Sequence, residues 1–109
     1  MKIPSDAIIP RAKLTNYLLI PLLEDDKSKF LEFGGFTQEN PDALEAAIRR
    51  LIAENDAVEA FTDIFGTRYT VTGTLHGVNG VDLEAVTIWI IKVDETIFRF
   101  VTLVPMRRP

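Results

Sequence analysis

Hydrophobic and polar positions follow two different periods along the chain, and the period changes near residue 57. Before this point, apolar residues recur at the three- and four-residue spacing of one helix face. After it, they alternate with polar residues as in half-buried strands. The sequence therefore predicts one α+β domain over residues 1–109, with a helical part at about 8–56 and a sheet part at about 57–105. We expect two or three N-terminal helices packed on one face of a three- to four-stranded antiparallel meander sheet.

The helical part contains start and stop signals for three helices. The first helix is predicted over residues 10–20 and ends before Pro21, which cannot donate a backbone hydrogen bond. The second is predicted over 27–33 and ends at Gly34-Gly35. The third has the clearest start, because Asn40-Pro41-Asp42 combines a cap, a proline and an acid in the first turn. Its apolar stripe consists of Leu44, Ala47, Ile48, Leu51 and Ile52.

The sheet part contains three alternating runs, at residues 68–75, 81–93 and 97–104. Residues 57–64 are predicted as an additional edge strand. Asn79-Gly80 separates the first two runs and is the dipeptide that tight hairpin turns favour. The sequence thus predicts consecutive strands joined by short turns.

The hairpin register decides which side chains share a face of the sheet. With Asn79 and Gly80 as the two central turn residues, Thr72 lies opposite Thr87, and one face is left without a helical cover. This open face is predicted to contain Arg68, Thr70, Thr72, Thr74, His76, Thr87 and Trp89. Because helices cover the other face, we expect function to reside on the open one.

The sequence leaves open which side chains of the last strand point to the core and which point to the open face. A two-residue second turn places Thr102 beside Thr87 and Phe100 beside Trp89 on the open face. A three-residue turn instead turns Arg99 outward. In that second case the core receives Phe98, Phe100 and Val104.

Composition and charge narrow the classes of function. The chain has no Cys, which excludes disulfide scaffolds, Cys-ligated zinc, iron–sulfur clusters and thiol catalysis. Its 12 basic and 16 acidic residues give a net charge of −4, which disfavours non-specific binding of RNA. The apolar stretch at 14–23 is too short and too interrupted to span a membrane, and no signal-peptide pattern opens the chain. We therefore expect a cytoplasmic protein without membrane contact, in which Arg107-Arg108 forms a solvated end.

Few residues have a pattern typical of catalysis. His76 is the single histidine and is a candidate acid or base. No metal or cofactor site is predicted, since the chain lacks ligand spacings, a Gly-rich phosphate loop and a Gly-x-Ser-x-Gly motif. The run Glu24-Asp25-Asp26 is interpreted as a solvated turn in which Asp25 or Asp26 caps the second helix. Trp89 on an uncovered face indicates a contact surface. Four cations are candidates to gather at one edge of that face, namely Lys27, Lys29, Arg68 and Arg99.

Three stretches resemble an uncharacterised bacterial family, one of the numbered domains of unknown function. They are Leu14-Thr15-Asn16-Tyr17-Leu18-Leu19, Lys27-Ser28-Lys29-Phe30-Leu31 with Gly35-Phe36, and Val86-Thr87-Ile88-Trp89-Ile90 with Arg99-Phe100-Val101-Thr102-Leu103-Val104-Pro105. Members of that family occur as small stand-alone proteins and as C-terminal parts of larger secreted or phage-related proteins. The architecture also looks like the toxin ribonucleases of the barnase, colicin-nuclease and RelE-type class.

The likeness to toxin ribonucleases implies tentative roles for residues of this chain. Ser28-Lys29 would supply the cation that neutralises the scissile phosphate, and Thr87 and Thr102 would hydrogen-bond it. Arg68 or Arg99 would add charge, His76 would carry the proton, and Trp89 would contact the substrate. The sequence departs from that class in its acidic charge and its single histidine.

Two function classes therefore stand side by side, and whether the chain is an enzyme is left open. The first is a ribonuclease-like toxin of a toxin–antitoxin type pair, or an inactive relative, held by a small cognate partner protein. The second is a protein–protein interaction module or homodimer that uses the open face around Trp89. Convergence of Lys29, Thr87 and Thr102 with an arginine would favour the first. A flat apolar patch at Trp89 and Phe100 would favour the second.

Overall fold

The computed structural model describes residues 1–24 and 26–106, and its helices precede its strands as predicted. The helical part contains α1 (Arg11–Lys13), a π-helical stretch (Leu14–Leu18), α2 (Ser28–Glu32) and α3 (Pro41–Glu54). The sheet part contains β1 (Val58–Asp63), β2 (Gly66–His76), β3 (Asp82–Lys92) and β4 (Arg99–Pro105). The predicted cap Asp25 and the Arg107-Arg108 end lie outside the described residues. Within the described residues, no helix is long and apolar enough to cross a bilayer.

The longest helix, α3, has the first-turn proline and the buried apolar stripe that its sequence predicts. Pro41 occupies the first turn, and the predicted apolar stripe, from Leu44 to Ile52, is buried against the sheet. The Asn40 side chain, however, does not cap the helix. It accepts a hydrogen bond from the Thr37 N–H at 2.7 Å and donates one to the Gly35 carbonyl at 2.9 Å. Asn40 therefore fixes the loop before α3 rather than the first turn of the helix.

The first predicted helix is shorter and less regular than its pattern indicates. Its α-helical part ends at Lys13, and the chain continues as a π-helix to Leu18. The Leu19 N–H closes the wider turn by donating to the Leu14 carbonyl at 3.0 Å. The extra residue in this turn keeps Leu14, Leu18 and Leu19 buried on one side.

The sheet is a four-stranded antiparallel meander in the order β1-β2-β3-β4, which confirms the predicted fold class. The predicted edge strand is present as β1. At the opposite edge, the N-terminal segment adds a short parallel bridge between Ile8 and Arg99. The Ile8 N–H donates to Phe98 O, and the Phe100 N–H donates to Ile8 O, each at 2.8 Å. The edge of β4 is thus partly covered, whereas β1 has strand pairing on one side.

The β2–β3 register differs by one residue from the predicted register. The Gly77 N–H donates to the Val81 carbonyl at 2.9 Å, so the loop contains three residues instead of two. Its last residue, Gly80, has φ +85°, as expected in a three-residue hairpin loop. Thr72 consequently pairs with Val86, and Val71 pairs with Thr87.

This shift transfers Thr87 and Trp89 from the predicted open face to the core. Both are 0% exposed, and they share their face with the buried Val71. The expectation that Trp89 forms a contact surface is therefore wrong. The predicted β2 residues of the open face keep their place opposite the core, now beside the β3 residues Val86, Ile88 and Ile90.

The parity of β4 follows neither of the two predicted alternatives completely. Phe98 and Phe100 enter the core, as the three-residue turn predicts. A bulge between the pairs Ile88–Thr102 and Trp89–Phe100 then shifts the alternation. As a result, Leu103 is buried instead of Val104. The rings of Trp89 and Phe100 meet edge to face at 5.3 Å, inside the core rather than on an exposed patch.

Candidate functional site

Lys27 is an almost fully enclosed cation, with 5% of its surface exposed. Its ammonium lies 3.5 Å from the Tyr17 hydroxyl and 5.7 Å from the centre of the Tyr17 ring. Burial of an ammonium is costly unless polar or aromatic groups compensate for the lost water. The fold therefore holds this charge at a defined place in an environment of low dielectric constant.

The Tyr17 hydroxyl also meets the last strand. Thr102 Oγ lies 3.5 Å from Tyr17 Oη, so one phenol oxygen stands within reach of both an ammonium and a second hydroxyl. Tyr17 and Thr102 are only partly buried. We call Lys27, Tyr17 and Thr102 the phenol cluster. It lies where the π-helical stretch, the start of α2 and β4 come together.

The π-helical stretch positions Tyr17. Leu14 and Leu18, which flank it, are both 0% exposed and anchor the turn in the core. The hydrogen bond of a π-turn spans five residues instead of four, which turns side chains away from their α-helical directions; such turns occur frequently at functional sites. Tyr17 packs against the core with its ring while its hydroxyl reaches Thr102.

Asp26 and Ser28 fix the backbone on both sides of Lys27. One carboxylate oxygen of Asp26 accepts hydrogen bonds from the Ser28 hydroxyl at 2.7 Å and from the Ser28 N–H at 2.9 Å. These bonds, that of the hydroxyl first, lower the pKa of Asp26 from its ordinary value of 3.8. Of the two predicted caps, Asp26 is the described one; it accepts these bonds from the position before the N-cap residue Lys27, and no side chain of the N-cap residue caps α2.

The phenol cluster has the chemistry of an anion site with a proton carrier. An ammonium and two hydroxyls offer positive charge and hydrogen-bond donors to one oxyanion, for example a phosphate oxygen. Enclosure strengthens the attraction between the ammonium and such an anion. The phenol hydroxyl beside the ammonium is able to donate a proton.

Lys29, the predicted cation, does not belong to this group. It is exposed on α2, two residues beyond Lys27. Both lysines were predicted near the same edge of the sheet, and the role of the cation was assigned to Lys29. The chain enters α2 at Ser28, which leaves Lys29 exposed on the helix and encloses Lys27, the lysine that precedes it.

Thr87 and Trp89 form a buried hydrogen-bonded chain instead of a binding surface. Trp89 Nε1–H donates to Thr87 Oγ at 2.8 Å, and the Thr87 hydroxyl donates to the Val71 carbonyl at 2.9 Å. With both residues fully buried, neither is available to a phosphate or another ligand. Of the four predicted catalytic residues, Thr102 is the one that the structure brings to the phenol cluster.

His76 lies at the far end of the sheet from Thr102. Its Nδ1 is 3.1 Å from Asp82 and its Nε2 is 3.6 Å from Glu54. The pairs His76–Asp82 and Thr102–Ile88 are six residues apart along β3, a distance of about 20 Å at ~3.3 Å per residue. His76 borders a shallow pocket of about 370 Å³ between α3 and the β2–β3 loop, and it does not serve the phenol cluster.

The two predicted substrate-binding arginines are engaged in local ion pairs. Arg68 lies 2.7 Å from Asp63, and the Phe65 N–H and then Arg68 lower the pKa of Asp63 below 3.8. Arg99 lies 3.0 Å from Glu95, whose side-chain hydrogen bond raises the pKa of Arg99. The described residues contain no group of three or more side chains suited to hold a metal ion.

Sequence reasoning missed Tyr17 and gave Lys27 only a minor part. Tyr17 lies at helical spacing from Leu14 and Leu18, two leucines that are buried in the core. A signal was present, because a tyrosine on an otherwise aliphatic face brings a hydroxyl that needs a partner.

Comparisons with known proteins agree with this fold. A family model described as "Domain of unknown function (DUF6883)" matches residues 3–107. Among solved structures, the chain is similar to one in a "Contact-dependent growth inhibition toxin - immunity protein complex from Klebsiella pneumoniae 342". The TM-score is 0.67 at 14% identity, and the superposition covers 95% of this chain and 97% of that chain. At this level of identity the similarity shows the shared fold alone. A search of curated proteins finds no match to the sequence.

Proposed function

The chain belongs to the DUF6883 family, a domain family of unknown function, and from this premise we propose that it is a ribonuclease-like toxin domain. The observation that carries the proposal is the enclosed Lys27 ammonium, 3.5 Å from the Tyr17 hydroxyl. The similarity to a chain of a toxin–immunity complex supports the direction of the proposal. By the same analogy, a small cognate partner protein holds the domain inactive.

The proposed reaction is internal transesterification of RNA. The ribose 2′-oxygen forms a bond to the adjacent phosphorus, and the bond from phosphorus to the 5′-oxygen breaks. One proton leaves the 2′-hydroxyl and one reaches the departing 5′-oxygen. The products are a 2′,3′-cyclic phosphate and a 5′-hydroxyl end. This chemistry needs charge stabilisation at the phosphate and a proton carrier, without any cofactor.

The phenol cluster matches these needs residue by residue. Lys27 would stabilise the negative charge that develops on the non-bridging oxygens, and the Thr102 hydroxyl would donate a hydrogen bond to one of them. Tyr17 lies within 3.5 Å of both and would donate the proton that the departing 5′-oxygen takes up, while solvent water would accept the proton of the 2′-hydroxyl. The net charge of −4 predicts weak, salt-sensitive binding of RNA, so the enclosed cation would act at one phosphate rather than along a strand.

Cleavage of an end-labelled RNA by the purified chain tests this proposal, with Lys27→Met and Lys29→Met as a matched pair. We expect products with 2′,3′-cyclic phosphate ends from the natural chain and from Lys29→Met. Lys27→Met should lower the rate by about 100-fold or more, the usual cost of removing a group that stabilises transition-state charge. When each protein is induced in a bacterial host, the natural chain and Lys29→Met should degrade total RNA, and Lys27→Met should degrade it much more slowly.

Two outcomes would contradict the proposal. Intact RNA with a natural chain that is folded by circular dichroism would leave the domain a non-catalytic binding module. Equal losses in the two lysine variants would remove Lys27 from its assigned role.

A further inference from the structure

Four large apolar side chains project into solvent at one end of the sheet. Phe61, Ile64, Phe65 and Val93 are 53%, 83%, 63% and 55% exposed. The Val93 N–H donates to the Phe65 carbonyl at 3.1 Å, which joins the β1–β2 turn to the end of β3. We call these four residues the apolar tip. A concentration of exposed apolar groups at one place is typical of a contact surface.

Turn chemistry does not account for the apolar tip. Ile64 and Phe65 are the two residues between β1 and β2, where Gly, Asn and Asp are the usual choices. The turn is instead held by Asp63, which accepts a hydrogen bond from the Phe65 N–H at 2.9 Å. Small polar residues would make the same turn, so the two large side chains contribute nothing visible to this fold. Burial of either side chain against another surface would remove apolar area from water, which is favourable.

Strand β1, which leads into the apolar tip, is an edge that is open to pairing. All six of its residues are exposed, and its backbone pairs with β2 on one side. Among the described residues, no backbone group bonds to its outer side between Val58 and Asp63. The bulge between Glu59 and Phe61 makes this edge irregular, which discourages indiscriminate pairing, so a partner strand has to follow the same irregularity.

Charge defines what the matching strand must contain. From Glu54 to Thr67 the chain has four carboxylates and no Lys or Arg. Three of them have partners elsewhere in the fold. Glu59 is exposed, and none of the ion pairs in residues 1–24 and 26–106 includes it. A partner strand therefore gains most from a Lys or Arg opposite Glu59.

A second copy of this chain pairs unfavourably at the same edge in the register centred on Phe61. Antiparallel self-pairing of β1 about Phe61 would bring the two phenyl rings together but would place Glu59 of one copy opposite Asp63 of the other. Like charges directly opposite one another are destabilising. The edge is better matched to a different protein.

We infer that β1 accepts an edge strand of a partner protein, with apolar side chains over the apolar tip and a Lys or Arg opposite Glu59. This inference deepens the proposed function, in that it supplies the surface for its cognate partner. Its test uses no RNA, so a failure of the inferred partner surface can be distinguished from a failure of the proposed ribonuclease function.

The probe is a backbone-cyclised β-hairpin peptide whose outer strand alternates Val and Thr around one central Lys. A matched peptide has Glu in place of Lys. Binding to the full chain is measured by fluorescence anisotropy. We expect the Lys peptide to bind about fivefold more tightly than the Glu peptide, the fold-change that one favourable cross-strand charge pair gives. Hydrogen exchange of the amides of residues 58–63 should slow when the Lys peptide is bound.

Two matched pairs of variants locate the surface. Glu59→Lys should reverse the preference between the peptides, whereas Glu39→Lys, an exposed site in the loop before α3, should leave it unchanged. Ile64→Ser should weaken binding, whereas Val78→Ser, 59% exposed at the opposite hairpin, should not. The inference is overturned if neither peptide binds, if both bind equally, or if protection appears outside β1. It is also overturned if sedimentation shows a dimer that Glu59→Lys changes.

Discussion

The indole N–H of Trp89 donates to Thr87 Oγ at 2.8 Å, two positions earlier on the same strand. The Thr87 hydroxyl in turn donates a hydrogen bond to the Val71 carbonyl on the neighbouring strand, at 2.9 Å. This chain of polar groups is fully buried, and each member has a partner. It lets the largest side chain of the protein enter the core without leaving its N–H unpaired.

Thr87→Val should therefore destabilise the protein although it preserves the shape of the side chain. The substitution leaves the Trp89 N–H without an acceptor in the core, at a cost of about 1–3 kcal/mol in the free energy of unfolding. Urea denaturation measures it. Thr72→Val, one strand away on the exposed face, is the control and should stay within about 0.5 kcal/mol. Equal effects would mean that the buried hydroxyl has no special part in stability.

Tyr17→Phe separates the phenol hydroxyl from the ring that packs beside Lys27. The ring contact at 5.7 Å is kept, so the variant should fold, while the proposed proton carrier is lost. We expect the rate constant for RNA cleavage to fall by about 10²–10⁴-fold with little change in KM. Thr102→Val should lose less, and Thr102→Ser should recover most of that loss. A Tyr17→Phe variant with the natural rate would assign proton transfer to another group.

The lowered pKa of Asp26 should make the free energy of unfolding depend on pH in the acid range. Because Ser28 lowers the pKa of Asp26 below 3.8, the ionised carboxylate stabilises the folded state fully above that value. The stabilisation is lost as the pH falls through the lowered pKa of the folded state. In denaturation experiments between about pH 5 and pH 2, Asp26→Asn should be less stable at the upper end and show a shallower decline. Glu39→Gln is the control and should show the same dependence of stability on pH as the natural chain. If the stability of Asp26→Asn fell with pH as steeply as that of the natural chain, Asp26 would not be the group responsible.

Gly66 and Gly80 should respond differently to the same substitution. Both have positive φ, +146° and +85°. A Cβ at Gly80 meets nothing within 4 Å, so Gly80→Ala should cost about 1–2 kcal/mol for the left-handed backbone alone. A Cβ at Gly66 would collide with the Ile91 carbonyl on β3, and Gly66→Ala should cost about 3 kcal/mol or more. Thermal or urea unfolding of the two variants compares the costs, and similar values would mean that the β2–β3 pairing yields easily.

The sheet shows how far local patterns reach. Alternation identified β2, β3 and β4 and their order, because one buried face imposes a period of two. The register was missed because Asn79-Gly80 fits both two-residue and three-residue loops, and one extra residue turns all of β3 over. The bulge before Thr102 was not predictable either, since it depends on how Trp89 and Phe100 pack across the strands.

The candidate site was predictable in part for a related reason. Thr102 was assigned a role from the likeness to toxin ribonucleases, and it lies in the phenol cluster. Lys27 and Lys29 differ by two positions in a basic run, and the first residue of α2 decides which of them is enclosed. Tyr17 depends on the π-helical turn, whose hydrogen bond from Leu19 to Leu14 has no marker in the sequence pattern.

The bridge between Ile8 and Arg99 ties the start of the chain to its last strand. The same closure brings Tyr17 to Thr102 across a sequence separation of 85 residues. Contacts of such high contact order form late, after the entropy of a long loop has been lost. A nascent chain that has not yet released β4 from the ribosome therefore has no phenol cluster. The chemistry proposed for this domain begins only when its last strand has docked.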